Sequence, residues 1–361
     1  MKRCSGRSTL SLILAIFLAL LWVFPAGAAD SSVEEVRALV DQYYITVPPE
    51  AVHTATSVEG ILKALDDPHS GYFTAAEFAA LQDDMEQNFS GVGIFIEMVE
   101  EGARVVAVVE GSPAREMGLK AGDIITHAGT VSLSGLPAEE VTALLRGPDG
   151  SRVQITVKSG ERVRTLTLQR RQIHVPTVRG EVLNGHIGYL DVDSFGESTV
   201  EEFRRAVNSL QKEKVDSWVV DLRYNSGGYV ESASLLAGYF IGDQPLMRLK
   251  ERGKMSLISA HTTGSRVTEP VVFIINEYSA SAAELLAAAV QDYGRAILIG
   301  TTTYGKGSMQ EIFPLENGDV LKLTVAHFFS PKGHRINQQG VTPDIPVKDI
   351  DPLVIAGMLL K

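Results

Sequence analysis

The segment VVFIINEYSASAAELLAAAVQDYGRAILIG, residues 271–300, predicts the fold of the C-terminal half of this chain. It reads as a buried strand over 271–276, a helix over 281–291 and a second strand over 296–300, because two short apolar runs flank a longer alanine-rich stretch. Strands joined in this way by a helix belong to one parallel sheet. The segment therefore predicts an α/β layer structure with polar loops at the carboxyl ends of its strands.

The same alternation of strands and helices extends over residues 182–361. Apolar runs at 187–192 and 217–222 predict strands, and amphipathic stretches at 199–212 and 230–240 predict helices. We therefore expect one α/β domain over residues 172–361, in which sites gather at the carboxyl ends of the strands.

The chain before this domain has two further regions. Residues 30–88 have apolar residues at helical spacing, and Thr74 with Glu77 forms a predicted capping box. Residues 89–171 contain short β-rich runs separated by glycine turns, with two short helices predicted at 112–117 and 137–145. The sequence thus predicts a helical lead-in followed by a small, strand-rich domain.

Residues 1–29 have the order of a secretory signal peptide. A basic start precedes an apolar run over 12–24, and small residues follow, with cleavage expected after Ala28 or Ala29. Cys4 would leave with the peptide. We expect an exported protein, periplasmic or otherwise extracytoplasmic, which would stay associated with the membrane if the segment were retained.

Composition excludes several classes of function. The 361 residues carry a formal net charge of −11, so a polyanion such as nucleic acid would be repelled. The single cysteine excludes a disulfide framework, and the eight histidines show no spacing typical of metal ligands. We therefore expect no metal, no cofactor and no nucleic-acid partner.

Three polar, glycine-rich segments follow predicted strands, at 221–228, 276–284 and 303–310. In the second, Ser279 and Ser281 precede a helix whose N-terminus would stabilise an oxyanion. Either serine is a candidate nucleophile, and either could be only a helix N-cap. On this segment alone the N-cap interpretation is favoured, and the choice between the two serines stays open.

The third segment supplies a candidate base. Lys306 lies between two glycines, and a buried lysine can be neutral enough to accept a proton. Gln310 lies four residues later in a predicted strand over 308–313, so even spacing would place its amide beside the amine. A phosphate-binding loop is disfavoured, because Gly307 replaces the required Ser or Thr and no helix follows.

The first segment contains the run Asn225-Ser226-Gly227-Gly228. This run is similar to the nucleophile loop of trypsin-like proteases, but those enzymes require a double β-barrel that this α/β pattern does not predict. We therefore interpret Ser226 as a turn residue and the two glycines as backbone donors to an oxyanion.

Six further motifs accompany these segments, in addition to Tyr304–Gln310 of the third one: Leu65–Thr74, Gly91–Ile94, Gly111–Ala114, Gly118–Ile125, Gln291–Ala296 and Gly340–Ile345. Together they make the chain resemble the C-terminal processing peptidases, also called tail-specific serine proteases, over nearly all of its length after residue 29. The resemblance implies an α/β fold in three parts: an N-terminal helical segment, an inserted PDZ domain, and a crotonase/ClpP-like catalytic core.

The resemblance also implies roles for individual residues. The family's spacing of 25 residues between serine and lysine selects Ser281 as nucleophile for Lys306 as base. Gln310 would position the lysine, and Asp292 matches a supporting carboxylate. The implied oxyanion donors are the backbone N–H groups of Ala282 and of Gly227 or Gly228. Tyr224 and Tyr278 depart from the family's usual residues, which bears on the peptide pocket rather than on the reaction.

The PDZ resemblance implies the substrate. Gly91, Val92, Gly93 and Ile94 would bind a peptide strand and its terminal carboxylate, so the expected partners are protein or peptide substrates with free C-termini. A lipoprotein adaptor and a homo-oligomer stay open. Two other interpretations compete: an inactive PDZ adaptor on a degenerate protease scaffold, and a crotonase-like acyl-transfer enzyme, which would leave the PDZ segment unexplained.

Overall fold

The computed structural model describes residues 31–85, 88–262, 264 and 266–361. The predicted signal peptide and Cys4 lie outside these residues. None of the helices in the described ranges combines the length and apolarity that a bilayer span requires.

The N-terminal region consists mainly of short helices. Its elements are α1 (Ser31–Tyr43), α2 (Glu50–Thr54), α3 (Val58–Leu65), β1 (Gly71–Phe73) and α4 (Ala75–Met85). The predicted capping box is confirmed, since the Thr74 N–H donates to the Glu77 carboxylate at 2.8 Å and the Glu77 N–H donates to Thr74 Oγ1 at 3.3 Å. The all-helical expectation was wrong at β1, whose hydrogen-bond partners lie far away in sequence, at residues 320–322.

A strand-rich module, which we call the PDZ-like module, spans residues 88–174. Its strands are β2 (Asn88–Gly91), β3 (Ile94–Val99), β4 (Gly102–Val108), β5 (Ile124–Ala128), β6 (Val131–Ser132), β7 (Arg152–Ser159), β8 (Arg162–Gln169) and β9 (Arg171–His174). Both predicted helices are present, as α5 (Pro113–Glu116) and α6 (Ala138–Leu145). The main sheet is antiparallel in the order β3-β4-β5-β7-β8, with β6 on β5, and β2 pairs separately with β9. β3 begins only at Ile94, and the preceding Gly93 adopts a φ of +79°.

The predicted α/β core is confirmed. Its strands are β10 (Val178–Leu183), β11 (Ile187–Val192), β12 (Ser217–Asp221), β15 (Val271–Ile275), β16 (Ile297–Gly300) and β19 (Ile345–Pro346). They lie in that order in one sheet, parallel except for β10 against β11. The helices between them are α7 (Thr199–Lys212), α8 (Val230–Ile241) and α9 (Ala282–Asp292).

A second, antiparallel sheet packs beside this core. It contains β1, β13 (Pro245–Glu251), β14 (Lys254–Ser259), β17 (Ser308–Pro314) and β18 (Val320–Phe329), and α10 (Pro352–Leu359) ends the chain. Leu321 and Leu323 of β18 are fully buried in the same apolar cluster as Val36 of α1 and Ile61 of α3. The N-terminal helices therefore pack directly on the sheet that carries the Lys306 segment.

Large aromatic side chains fill the core of the α/β layer. Trp218, Phe203, Phe240 and Phe273 are fully buried. Phe240 meets Phe203 and Phe273 edge to face, with ring centroids 6.0 and 5.1 Å apart. Aromatic packing of this kind adds to the stabilisation from burial, so the loops at the strand ends rest on a rigid base.

Candidate active site

The three polar segments predicted from the sequence meet at one edge of the core sheet. β12, β15 and β16 are neighbours and run parallel, so their following loops leave the sheet on the same side. The Ala280 N–H donates to the Asn225 carbonyl at 2.9 Å, and the Tyr304 N–H donates to the Ser279 carbonyl at 3.0 Å. These bonds join the second segment to both of the others.

Ser281 has a strained backbone at the turn from β15 into α9. Its φ of +55° lies in the left-handed region that residues with a side chain rarely adopt. Such strain costs on the order of 1–3 kcal/mol and is typical of active sites, where neighbouring contacts enforce it. Gly227 packs closely against this turn, because a Cβ placed there would lie only 2.7 Å from the Ser281 Cβ.

Glu284 fixes the Ser281 turn to the Lys306 segment. Its buried carboxylate accepts hydrogen bonds from the Ser281 N–H, Thr303 Oγ1, the Gly305 N–H and the Lys306 N–H, at 2.5–2.8 Å. Burial raises the pKa of Glu284, and these four donors oppose that shift. The carboxylate stands at the N-terminus of α9, where negative charge is favourable.

The two candidate serines have different environments. Ser279 is fully buried, and its hydroxyl donates to the Leu222 carbonyl at 2.8 Å while accepting from the Asn276 N–H at 2.9 Å. Ser281 is only partly buried. The Ser279 hydroxyl therefore holds the turn together, and Ser281 is the serine that a substrate can reach.

Lys306 lies partly buried in the glycine-rich segment that follows β16. Burial lowers the pKa of its amine, the nearby Lys322 ammonium lowers it further, and the Glu284 carboxylate opposes the shift. A lysine with a lowered pKa has a larger neutral fraction near pH 7, which is the form that accepts a proton.

Gln310 lies on β17, close to this segment. Its amide donates to Ser308 Oγ at 2.9 Å and to Thr324 Oγ1 at 3.2 Å. Even spacing along one strand does not relate Gln310 to Lys306, because Lys306 precedes β17 and a bulge interrupts that strand between Met309 and Gln310.

The expected oxyanion donors differ in their hydrogen bonding. The Gly227 N–H already donates to Asn225 Oδ1 at 2.9 Å. Within the described residues, the N–H groups of Ala282 and Gly228 have no intramolecular acceptor. Gly227 still lies against the turn, since its hypothetical Cβ would be 3.1 Å from the Ala282 nitrogen.

A turn of the N-terminal region reaches the same site. Ser70 Oγ donates to the Asp67 carboxylate at 2.6 Å and accepts from the Thr324 N–H at 3.0 Å. Burial lowers the pKa of His69, and the Lys306 ammonium lowers it further. The Asp67–Ser70 turn therefore forms part of the surroundings of Lys306.

Asp292 lies apart from the other predicted site residues. It is the last residue of α9, whose 11 residues span about 16 Å from the Ser281 end. Its carboxylate accepts the Lys332 N–H at 2.7 Å, and the His334 ring lies 3.6 Å away. The structure does not bring Asp292 to Ser281.

The predicted peptide-binding residues line a groove in the PDZ-like module. Gly91, Val92, Gly93 and Ile94 form one wall of a cavity of about 270 Å³. The remaining lining is mostly apolar and includes Phe89, Leu145, Arg146 and Ile173. The Arg146 guanidinium stacks 4.5 Å from the centre of the Phe89 ring, so one cation borders a mostly apolar groove.

Sequence reasoning missed three buried polar residues that hold the site together. Glu284 follows Ser281 by three residues, which is the capping-box spacing and could have indicated their bond. Asn225 and Asn276 are also buried, and each bonds groups from two different segments. Such long-range bonds leave no local signal. Among the described residues, no cluster of three His, Cys, Asp or Glu side chains could bind a metal ion.

Comparisons with known proteins identify the family. The model of peptidase family S41 matches residues 186–347, and a PDZ-domain model matches residues 104–159. A carboxy-terminal-processing protease of Bartonella bacilliformis is 32% identical over 84% of this chain and 72% of its own length. A probable CtpA-like serine protease of Staphylococcus saprophyticus is 32% identical over 88% of this chain and 65% of its own length.

Solved structures share the fold. The photosystem II D1 C-terminal processing protease aligns with a TM-score of 0.58 at 24% identity, covering 90% of this chain and 94% of that one. A putative S41 protease from Bacteroides fragilis aligns with a TM-score of 0.60 at 20% identity, covering 92% of each chain. The family-model matches and the curated relatives define an α/β peptidase that carries a PDZ domain. The chain belongs to peptidase family S41, as the resemblance to C-terminal processing peptidases predicted.

Proposed function

We propose that this chain is an exported serine endopeptidase that cleaves the C-terminal tails of protein substrates with a Ser281–Lys306 dyad. One observation carries the proposal. The same carboxylate oxygen of Glu284 accepts the Ser281 N–H and the Lys306 N–H, each at 2.8 Å. The backbones of the proposed nucleophile and base are therefore tied to one atom.

These groups would carry out the reaction in two stages. The neutral Lys306 amine takes the Ser281 Oγ proton, Oγ bonds to the scissile carbonyl carbon, and the carbonyl π electrons move to oxygen. The N–H groups of Ala282 and Gly228 donate to this oxyanion. When the oxyanion collapses, the C–N bond breaks and Lys306 gives its proton to the leaving amine. Water then hydrolyses the acyl-enzyme with Lys306 again as base.

The groove of the PDZ-like module would bind the substrate tail and deliver it to the active site. A peptide tail would add as a strand, its terminal carboxylate accepting backbone N–H groups near Gly91–Ile94. An unfolded tail meets this need, because a folded terminus has no free strand to offer. Export through residues 1–29, a lipoprotein adaptor and self-association belong to the same proposal and are not needed for the chemistry.

The direct test is cleavage of an unfolded, tagged protein by the wild type and four variants. Ser281→Ala and Lys306→Ala should each lower kcat/KM by about a thousandfold or more, as loss of a nucleophile or base does. Ser226→Ala and Lys212→Ala change an exposed serine and an exposed lysine outside the dyad and should retain activity. If the wild type and both dyad variants behave alike, the chain is a PDZ adaptor instead.

A further inference from the structure

Two exposed tyrosines stack on each other at the candidate active site. Tyr224 and Tyr278 have parallel rings, 19° apart in plane, with centroids separated by 5.3 Å. Their side chains are nonetheless 70% and 57% exposed. Such a pair presents a large aromatic surface with polar hydroxyl groups, which is the kind of side chain enriched where proteins contact other molecules.

The backbone holds this pair in place. Asn276 Oδ1 accepts the Tyr224 N–H and the Tyr278 N–H, each at 3.1 Å, so one buried side chain fixes both loops. Tyr224 adopts a φ of +65°, in the region that disfavours residues with a side chain. A strained backbone, buried support and exposed rings together indicate a preformed surface rather than two mobile side chains.

The pair lies beside the proposed reacting groups. Tyr278 precedes Ser281 by three residues, and Tyr224 precedes Gly227 by three. Three residues span at most about 11 Å, and Gly227 itself lies against Ser281. An extended peptide bound at Ser281 advances about 3.3 Å per residue. The rings are therefore within reach of substrate side chains up to about three residues from the scissile bond.

We propose that the stacked Tyr224–Tyr278 pair is a specificity surface for an aromatic substrate side chain within three residues of the cleaved bond. The proposal rests on the proposed proteolytic function and adds a preference near the scissile bond to the tail recognition assigned to the PDZ-like module. An aromatic ring gains from offset or edge-to-face contact with the outer face of such a pair.

The experiment uses unfolded peptides with one free C-terminal tail and one cleaved bond. Phe is placed in turn at each of the three positions on either side of that bond and compared with Ala. At one position at least, the wild type should cleave the Phe peptide about three- to tenfold faster in kcat/KM, the range expected for one aromatic contact. Tyr224→Ala/Tyr278→Ala should remove this preference while still cleaving the Ala peptide.

Matched variants separate recognition from folding. Tyr224→Phe/Tyr278→Phe keeps the rings and should keep the preference. Tyr293→Ala, a substitution at the far end of α9, should leave kcat/KM unchanged for both the Phe and the Ala peptide. If the double alanine variant does not fold, Tyr278→Ala alone gives the same comparison. The proposal is overturned if the wild type shows no Phe preference at any position. It is also overturned if the alanine variant has kcat/KM lowered by the same factor for the Phe and the Ala peptide. If the wild type cleaves no peptide at all, the proposed function itself has failed.

Discussion

The candidate active site and the groove of the PDZ-like module differ in the polarity of the side chains that form them. At the active site, Glu284, Asn225, Asn276 and Ser279 are buried polar residues that bond between loops. The groove is mostly apolar and lies where Gly91–Ile94 faces the helix that ends at Leu145.

This difference matches what each region has to do. Proton transfer and oxyanion binding require atoms held within fractions of an ångström, which buried, fully bonded polar groups provide. Docking through backbone bonds and apolar contact tolerates many side chains. We therefore expect changes at the active site to lower kcat, and changes at the groove to raise KM.

Outside the proposed dyad, the largest effect should come from Glu284→Gln. The amide nitrogen would face donors that now bond to carboxylate oxygens, which leaves buried N–H groups unpaired at about 1–3 kcal/mol each. We expect kcat to fall by about a hundredfold or more, with KM nearly unchanged and a lower Tm. Steady-state kinetics and thermal unfolding measure both effects.

Glu277→Gln is the matched control for this change. Glu277 lies in the same turn but is exposed, and its carboxylate accepts a hydrogen bond from Thr301 Oγ1 at 2.6 Å. The Glu277→Gln variant should keep kcat and Tm near the wild-type values. Equal losses in the two variants would mean that Glu284 has no special role in joining Ser281 to Lys306.

A smaller effect should follow from blocking the substrate terminus. A peptide with an amidated C-terminus lacks the charge that the groove is proposed to bind, so its KM should rise about tenfold while kcat stays the same. One charge-assisted hydrogen bond is worth about that much. Cleavage of the acid and the amide at equal rates would reject carboxylate capture.

The smallest effect concerns Lys322, whose charge lowers the pKa of Lys306. Lysine acts as a base only when neutral, so activity rises as pH passes upward through the Lys306 pKa. Lys322→Gln removes the repulsion, raises the Lys306 pKa and should move the rising limb to higher pH by a few tenths of a unit, with about a twofold loss near pH 7. Lys212→Gln, on the exposed end of α7, should not move it.

The sequence predicted the α/β core and the convergence of three strand-end loops because both depend on local apolar periodicity. It could not choose between Ser279 and Ser281 without the family resemblance, since the two differ in burial and backbone strain, which have no local signature. The bulge at Met309–Gln310 also escaped prediction.

Contacts between distant segments were the other unpredictable part. β1 pairs with β18, and the Asp67–Ser70 turn bonds Thr324 and lies near Lys306, more than 200 residues later. The Gly227 N–H donates to the Asn225 side chain, and the positions of glycines in the sequence do not predict such a bond. Register and side-chain bonds of this kind depend on the assembled tertiary structure.

The central claim is that the Lys306 amine activates the Ser281 hydroxyl. A serine-directed phosphonate probe tests it, with the labelled residue found by peptide mass spectrometry across a range of pH. We expect labelling of Ser281, at a rate that rises with pH to a plateau and has its midpoint below the ordinary lysine value of 10.5. Lys306→Met should abolish the labelling. Labelling of Ser226 or Ser279 instead, or an unchanged rate in Lys306→Met, would show that the Lys306 amine does not activate the Ser281 hydroxyl.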